Sequence, residues 1–348
     1  MSVLTKIGLL VTACMVVYAC WLLADYALIG DGLNDKVILG DGWLSVPLVD
    51  SSDTAPMISA NFGSSNRQAV VLLDTGSDQF WVRNSVLAGS ESLAMTSDMF
   101  TTVYAGGSVR GVHASDNVSL GNMTWRQPLG VVHESTHELK DIQSILGLSR
   151  KCRKECSISH FRLKKPQLGF VFDLVTRRGS FLAGVMNDSL CQTGEVMHWV
   201  PLLSNHLFWR SSVGIKIGDT VIGDKLTAIW DTGTTYTFLR SGMYQRLMDK
   251  LPSTDEICVF RTLPHLTLVL NGRTFSFPPD IYAQRRVNNT CGWNFAKLED
   301  TWGSRIEGDV IIGWTLIRSH YTVFDMSEDA IGICRSQSLD FVRKKALF

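Results

Sequence analysis

The chain has 348 residues, enough for a large core and, by length alone, for two domains. Lys plus Arg and Asp plus Glu number 33 each, so no global field points to nucleic acid as a partner. Hydrophobic residues make up 45% of the chain and nothing is low-complexity, which is the balance of an ordinary globular protein rather than a disordered one.

In chain order, the first feature is Ile7 to Ala24, 18 residues without a charge, preceded by Lys6 and ended by Asp25. That is longer than the usual apolar core of a signal peptide and at the lower limit of a membrane span. At 1.5 Å per residue it covers roughly 27 Å as a helix, close to a thin bilayer core. Lys6 precedes it while Asp25, Asp31 and Asp35 follow, so the positive-inside rule leaves the N-terminus cytosolic and sends the rest across. Residues 1–24 thus read as a signal anchor or, with the small residues Val17 and Ala19 at cleavage positions, as a cleaved signal. The anchor is preferred, which makes a single-pass type II membrane protein. Either way the body is lumenal or extracellular, joined through a linker over 25–44.

Beyond residue 43, short runs rich in Val, Ile, Thr, Phe and Trp alternate with Gly, Asn, Asp and Ser clusters. Ala69–Leu73, Val118–Leu120, Gly130–Val132, Leu266–Leu270, Thr274–Phe277 and Tyr321–Phe324 read as strands of an all-β protein. Short helices are expected at Gly242–Lys250 and near Ile142–Leu146. The main organisational fact is a repeat. "VVLLDTGSDQFWV" (Val70–Val82) and "LTAIWDTGTTYTFL" (Leu226–Leu239) each bring an apolar strand to Asp-Thr-Gly-Ser/Thr and an apolar exit. Each is later answered by an apolar pair and a Gly, in "SILGL" (Ser144–Leu148) and "VIIGW" (Val310–Trp314). Two similar lobes, 45–195 and 196–340, explain this with a tail over 341–348.

A carboxylate closing an apolar strand is costly unless something pairs or uses it. Gly76 and Gly233 permit a tight turn and a close approach by a partner. Thr75 and Thr232 carry hydroxyls able to bond across to the opposite loop, and Ser77 and Thr234 can donate to the neighbouring carboxylate. Two such loops face to face bring Asp74 and Asp231 together. Like charges in contact share one proton, so one member serves as general base on water while the other polarises a carbonyl. Hydroxyl donation to the ionised pair is expected to lower its pKa values and set an acidic optimum. The plainer reading, two turn aspartates capping their own loops, does not account for the duplicated context.

These residues resemble those of the pepsin-family (A1-type) aspartic endopeptidases over roughly 45–340. The two Asp-Thr-Gly segments are similar to the family's active-site loops. "VYAGGSVRG" (Val103–Gly111) resembles the flap hairpin, which implies Tyr104 as the flap tyrosine with Gly106, Gly107 and Ser108 after it. Trp81 matches the tryptophan that this tyrosine contacts. The resemblance implies a bilobal β fold with the cleft between lobes, hydrolysis of polypeptides without a cofactor, and a monomer. The chain departs from the family in a short Asp74-to-Tyr104 interval without an N-lobe cysteine pair. Its flap reads Tyr-Ala-Gly-Gly-Ser, and only 19 residues run from Asp25 through Trp43 where a prosegment is usual. The altered flap keeps a second reading open, a catalytically idle peptide-binding protein on the same scaffold.

Six cysteines follow the apolar segment: Cys152, Cys156, Cys191, Cys258, Cys291 and Cys334. Their number leaves the pairing open. The resemblance implies Cys258–Cys291, and for the others the preference is Cys152–Cys156 with Cys191–Cys334. The basic stretch Arg150–Lys165 reads as a solvated loop. Cys152, Cys156 and His160 within it form no complete zinc set, and a lumenal compartment favours a disulfide. Glycosylation sequons stand at Asn117, Asn122, Asn187 and Asn288.

Overall fold

The computed structural model describes residues 37–40, 43–49, 54–151, 163–184, 186, 188–203, 206–254, 256–299 and 307–337. The segment Ile7–Ala24, Cys152, Cys156, His160, Asn187 and the tail 341–348 lie outside them. Among the described residues no helix is long and apolar enough to cross a membrane.

Among the described residues three seven-stranded sheets carry the fold, with a two-stranded ribbon beside them. The all-β, two-lobed architecture expected from the sequence is the one present. The first lobe's sheet runs, in spatial order, Met57–Phe62, Arg67–Asp74, Ser144–Gly147, Phe80–Arg83, Met123–Ser135, Gly107–Leu120 and Ala94–Tyr104. The second lobe's sheet runs Arg273–Phe277, Leu266–Leu270, Arg210–Ile217, Thr220–Trp230, Val310–Ile312, Thr237–Arg240 and Phe295–Leu298. The repeat seen in sequence is a repeat of pairing. Asp74 ends a strand that runs parallel to Ser144–Gly147, and Thr220–Trp230 runs parallel to Val310–Ile312. The exit strands Phe80–Arg83 and Thr237–Arg240 lie antiparallel on the far side of those partners.

The third sheet is shared. Its order is Ile38–Gly40, Trp43–Pro47, Arg178–Ala183, Gln167–Asp173, Tyr321–Asp325, Ala330–Cys334 and His198–Pro201. Ile38–Gly40 is therefore a strand inside the stretch that reads as a linker. Tyr321–Asp325 and Ala330–Cys334 are buried at every position. That explains their continuous apolar runs, since both faces of this sheet are covered. Phe170 sits edge-on to Trp314 at 5.7 Å and to Phe324 at 5.9 Å, and Trp209 meets Phe324 at 5.1 Å. The Trp209 indole N–H donates to the Leu148 carbonyl at 2.9 Å, tying the second half of the chain to the end of "SILGL".

The helix at Ser241–Met248 lies where the sequence places one. The one expected near Ile142–Leu146 is instead the strand Ser144–Gly147, preceded by a 3₁₀ turn at His137–Leu139. The run is too short for its period to separate helix from strand, and insertion between two strands decides the matter.

Two disulfides close among the described residues, Cys191–Cys334 and Cys258–Cys291. Cys191–Cys334 spans 143 residues of chain, with its Cα atoms 5.6 Å apart. A loop of that length places its removal at the upper end of the usual range. The double Ala variant is expected to lose about 4–5 kcal/mol in urea unfolding. An unchanged midpoint would show that the shared sheet holds without it.

Candidate active site

Arg67–Asp74 alternates, with Ala69, Val71 and Leu73 pointing into the lobe, and its last residue turns into the first Asp-Thr-Gly loop. The Leu148 amide donates to the Asp74 carbonyl at 2.7 Å, so "SILGL" pins the strand end from beside it. In the second lobe the Asp231 amide donates to Ile312 at 3.0 Å, and the Trp314 amide donates to Thr234 at 2.7 Å. Each loop is held by the apolar-pair-plus-Gly segment of its own half.

The loops are then locked to each other. The Thr75 amide donates to the Thr232 hydroxyl at 3.0 Å, and the Thr232 amide to the Thr75 hydroxyl at 2.9 Å. The Thr75 hydroxyl donates onward to the Trp230 carbonyl at 2.9 Å, and that of Thr232 to Leu73 at 2.7 Å. Both threonines are fully buried, so all four bonds are shielded from water and hold the lobes in one register.

The carboxyls follow the same symmetry. Asp74 accepts from the Gly76 amide at 2.9 Å and the Ser77 hydroxyl at 2.5 Å. Asp231 accepts from the Gly233 amide at 2.9 Å and the Thr234 hydroxyl at 2.7 Å. A Cβ placed on Gly76 would stand 2.5 Å from the Asp231 carboxyl carbon, and one on Gly233 would overlap the Asp74 carboxyl. The glycines are there because each loop approaches the other's carboxylate.

Burial, followed by the charge of Asp231, holds Asp74 well above the ordinary carboxylate value. Burial also raises Asp231, with the Thr234 hydroxyl opposing it. This reverses the direction expected from the sequence. The hydroxyls donate as expected and do favour the charged form, but removal of the pair from water outweighs them. The outcome is a pair of carboxyls that both hold a proton more tightly than an ordinary aspartate, with donors aimed at the charged form.

The hairpin Ala94–Tyr104/Gly107–Leu120 turns at Ala105–Gly106, above the loops. The Trp81 indole N–H donates to the Tyr104 hydroxyl at 2.7 Å, and Tyr104 also bonds Ser77. Burial, then the charge of Asp74, pushes the Tyr104 pKa up, so the phenol stays neutral. Tyr104, Ala105 and Gly106 line the cleft. Gly107 and Ser108 do not: the Ser108 amide donates to the Thr136 hydroxyl at 3.2 Å, and a Cβ on Gly107 would overlap that hydroxyl. These two residues secure the hairpin beside its turn instead.

The cleft holds about 1170 Å³ and contains both carboxyls. One wall carries Phe100, Leu139 and Ile142, and the other Ile229, Phe238 and Phe295. Sequence reasoning missed these wall residues, because each is an ordinary apolar position in its own strand or loop. Among the described residues no group of His, Cys, Asp and Glu could hold a metal ion. Of the sequons, Asn122 and Asn288 are exposed, whereas Asn117 is half-buried in a strand paired at Arg126.

The family model for eukaryotic aspartyl protease matches residues 57–336. The chain is 24% identical over 343 residues to pregnancy-associated glycoprotein 1 of Bos taurus, covering 85% of this chain and 86% of that protein. It is 24% identical over 335 residues to the vacuolar aspartic protease of Candida albicans, covering 84% and 78% respectively. The crystal structure of aspartic proteinase from Irpex lacteus shares the fold with a TM-score of 0.71 at 21% identity, over 85% of this chain and 98% of that one. With the family match running through both Asp-Thr-Gly loops, the chain belongs to the eukaryotic aspartyl protease family of aspartic endopeptidases.

Proposed function

We propose that the chain hydrolyses peptide bonds of polypeptides, with a water activated between Asp74 and Asp231. The observation that supports this most directly is the facing pair of carboxyls, Asp74 buried and Asp231 half-buried, each backed by the opposite loop's glycine. In this reading the ionised member takes a proton from water as its oxygen attacks the substrate carbonyl. The protonated member gives its proton to the carbonyl oxygen. Collapse of the tetrahedral intermediate breaks the C–N bond, and proton transfer frees the amine. Thr75, Gly76, Ser77, Thr232, Gly233 and Thr234 position the dyad, and Tyr104, braced by Trp81, covers it. The open cleft with apolar walls suits an extended polypeptide. Both loops come from one chain, so a monomer contains the whole site. A binding protein on this scaffold would leave the intact carboxyls without a use.

Cleavage of a denatured protein at acid pH, blocked by a statine-type transition-state analogue, tests the reading. Binding of the analogue without any cleavage would favour the idle alternative.

The pH profile carries a signed prediction. Activity needs one proton on the pair and is lost as pH rises through the upper apparent pKa. Burial and the neighbouring charge hold that proton above 3.8, the ordinary Asp value, so the high-pH limb of kcat/KM is expected above it. Ser77→Ala removes a bond that lowers Asp74, so the limb is expected to move further up. A downward move would contradict the assignment of Ser77.

We infer a lumenal or extracellular body. Two disulfides suit an oxidising compartment. The relatives' names, a glycoprotein and a vacuolar protease, fit the secretory route. In this reading Asn122 and Asn288 are the accessible glycosylation sites, and the Asn288 side-chain oxygen already accepts from the Thr290 hydroxyl at 2.8 Å.

A further inference from the structure

The hairpin joining Gln167–Asp173 to Arg178–Ala183 ends with Asp173 paired to Arg178 and turns through Leu174, Val175, Thr176 and Arg177. Tight turns favour Gly, Asn, Asp, Ser and Pro, whereas this one presents two aliphatic side chains. Leu174 is 38% exposed and Val175 91%. The turn is well built around them. The Asp173 carboxylate accepts from the amides of Val175 at 2.9 Å and Thr176 at 3.2 Å, satisfying the backbone from within. Arg177 takes a left-handed φ of 56° where glycine or asparagine is usual. Arg177 and Arg178 follow the apolar tip. Arg318 lies against the same end of the sheet, its guanidinium 5.6 Å from the Phe172 ring centre, close enough to Arg177 to feel its charge. An apolar point followed by Arg177 and Arg178 suits a surface with acyl chains beneath phosphates.

Strand register tells which way this tip faces along the chain. Ile38 pairs with Ser45 and Ser45 with Leu182, while Pro47 pairs with Ser180. Stepping back from Ile38 to Val37 therefore moves toward Ser180 and the hairpin tip. The described chain enters the shared sheet from the end that carries Leu174 and Val175. Only residues 25–36 separate Val37 from the uncharged segment Ile7–Ala24, a reach of at most about 40 Å.

We propose that the Leu174–Val175 tip, with Arg177 and Arg178 beside it, docks on the lipid bilayer that holds Ile7–Ala24. The tip inserts among the headgroups and the arginines pair with their phosphates, so the tethered body rests on the membrane in one orientation. This rests on the apolar segment being retained and is independent of the dyad.

The test uses the full-length chain in vesicles of phosphatidylcholine with phosphatidylserine. The photo-crosslinker p-benzoylphenylalanine replaces Val175 or, as a control, Val221, which is 53% exposed in the second lobe. Lipid adducts are expected at several-fold higher yield from position 175. Arg177→Gly with Arg178→Gln is expected to cut that yield by about five-fold or more. Glycine suits the φ at 177, and thermal unfolding of the double variant confirms that it is folded. Equal yields at 175 and 221, adducts from 175 to protein rather than lipid, or a yield indifferent to the two arginines would each overturn the proposal. So would a product that has lost Ile7–Ala24 and leaves the vesicles. Cleavage of a denatured protein in detergent, run in parallel, reports on the dyad alone.

Discussion

Asp74→Asn and Asp231→Asn are each expected to lower kcat/KM by about 10,000-fold, the upper end of what one positioned proton-transfer group contributes. An amide occupies the same volume but neither takes a proton from water nor passes one to the leaving amine. The surroundings tolerate it at position 74. Its oxygen can accept from the Gly76 amide, and the Ser77 hydroxyl can rotate from donor to acceptor for the new NH₂. A second readout separates loss of chemistry from loss of fold. Asp74 has a folded pKa above its ordinary 3.8, so its contribution to stability is fully present below pH 3.8 and is lost as pH rises through the folded value. Asparagine has no charge to bury. Asp74→Asn is therefore expected to melt above the wild type at neutral pH, with the gap closing on acidification. Calorimetry at the two pH values, together with turnover, checks both halves. A variant retaining a tenth or so of wild-type turnover would remove Asp74 from the mechanism.

Gly76→Ala is expected to cost at least about 100-fold in kcat/KM, because a displacement near 1 Å at the reacting groups has that effect. The added methyl would stand 2.5 Å from the Asp231 carboxyl carbon, which has no room to retreat while Gly233 and Thr234 hold it. Overpacking also lowers stability by about 1–3 kcal/mol. Gly242→Ala is the control. Nothing lies within 4 Å of its added Cβ, and Gly242 sits in the helix Ser241–Met248. There the change is expected to raise stability by up to about 1 kcal/mol and leave kcat/KM alone. Steady-state kinetics and urea unfolding of the pair measure the contrast. Equal activity in the two variants would mean that the loops are not in contact in solution.

The local parts of the site were legible because their causes are local. Asp74 bonds the Gly76 amide and the Ser77 hydroxyl, both within three residues, and Asp231 does the same with Gly233 and Thr234. A contiguous motif encodes such a turn, so reading it twice gave the two loops, and the apolar run Ala69–Leu73 gave the strand that carries the first. The Ile142–Leu146 stretch reads as helix because Ile142, Ile145 and Leu146 fall at helical spacing, and five residues are too few to decide the period. Only its seat between Arg67–Asp74 and Phe80–Arg83 makes it a strand.

What the tertiary structure alone decided is everything that depends on neighbours distant in the chain. Thr75 and Thr232 are 157 residues apart in sequence, and their reciprocal bonds set the contact between the carboxyls. The direction of the dyad's titration follows from that contact. The local hydroxyl donors, visible in the sequence, favour the charged form. Burial between two lobes favours the protonated form of both, the charge of Asp231 adds to it at Asp74, and these effects prevail. Desolvation and like-charge repulsion belong to the assembled cleft, whose walls come from both lobes, and neither is encoded in the few residues on either side of an aspartate.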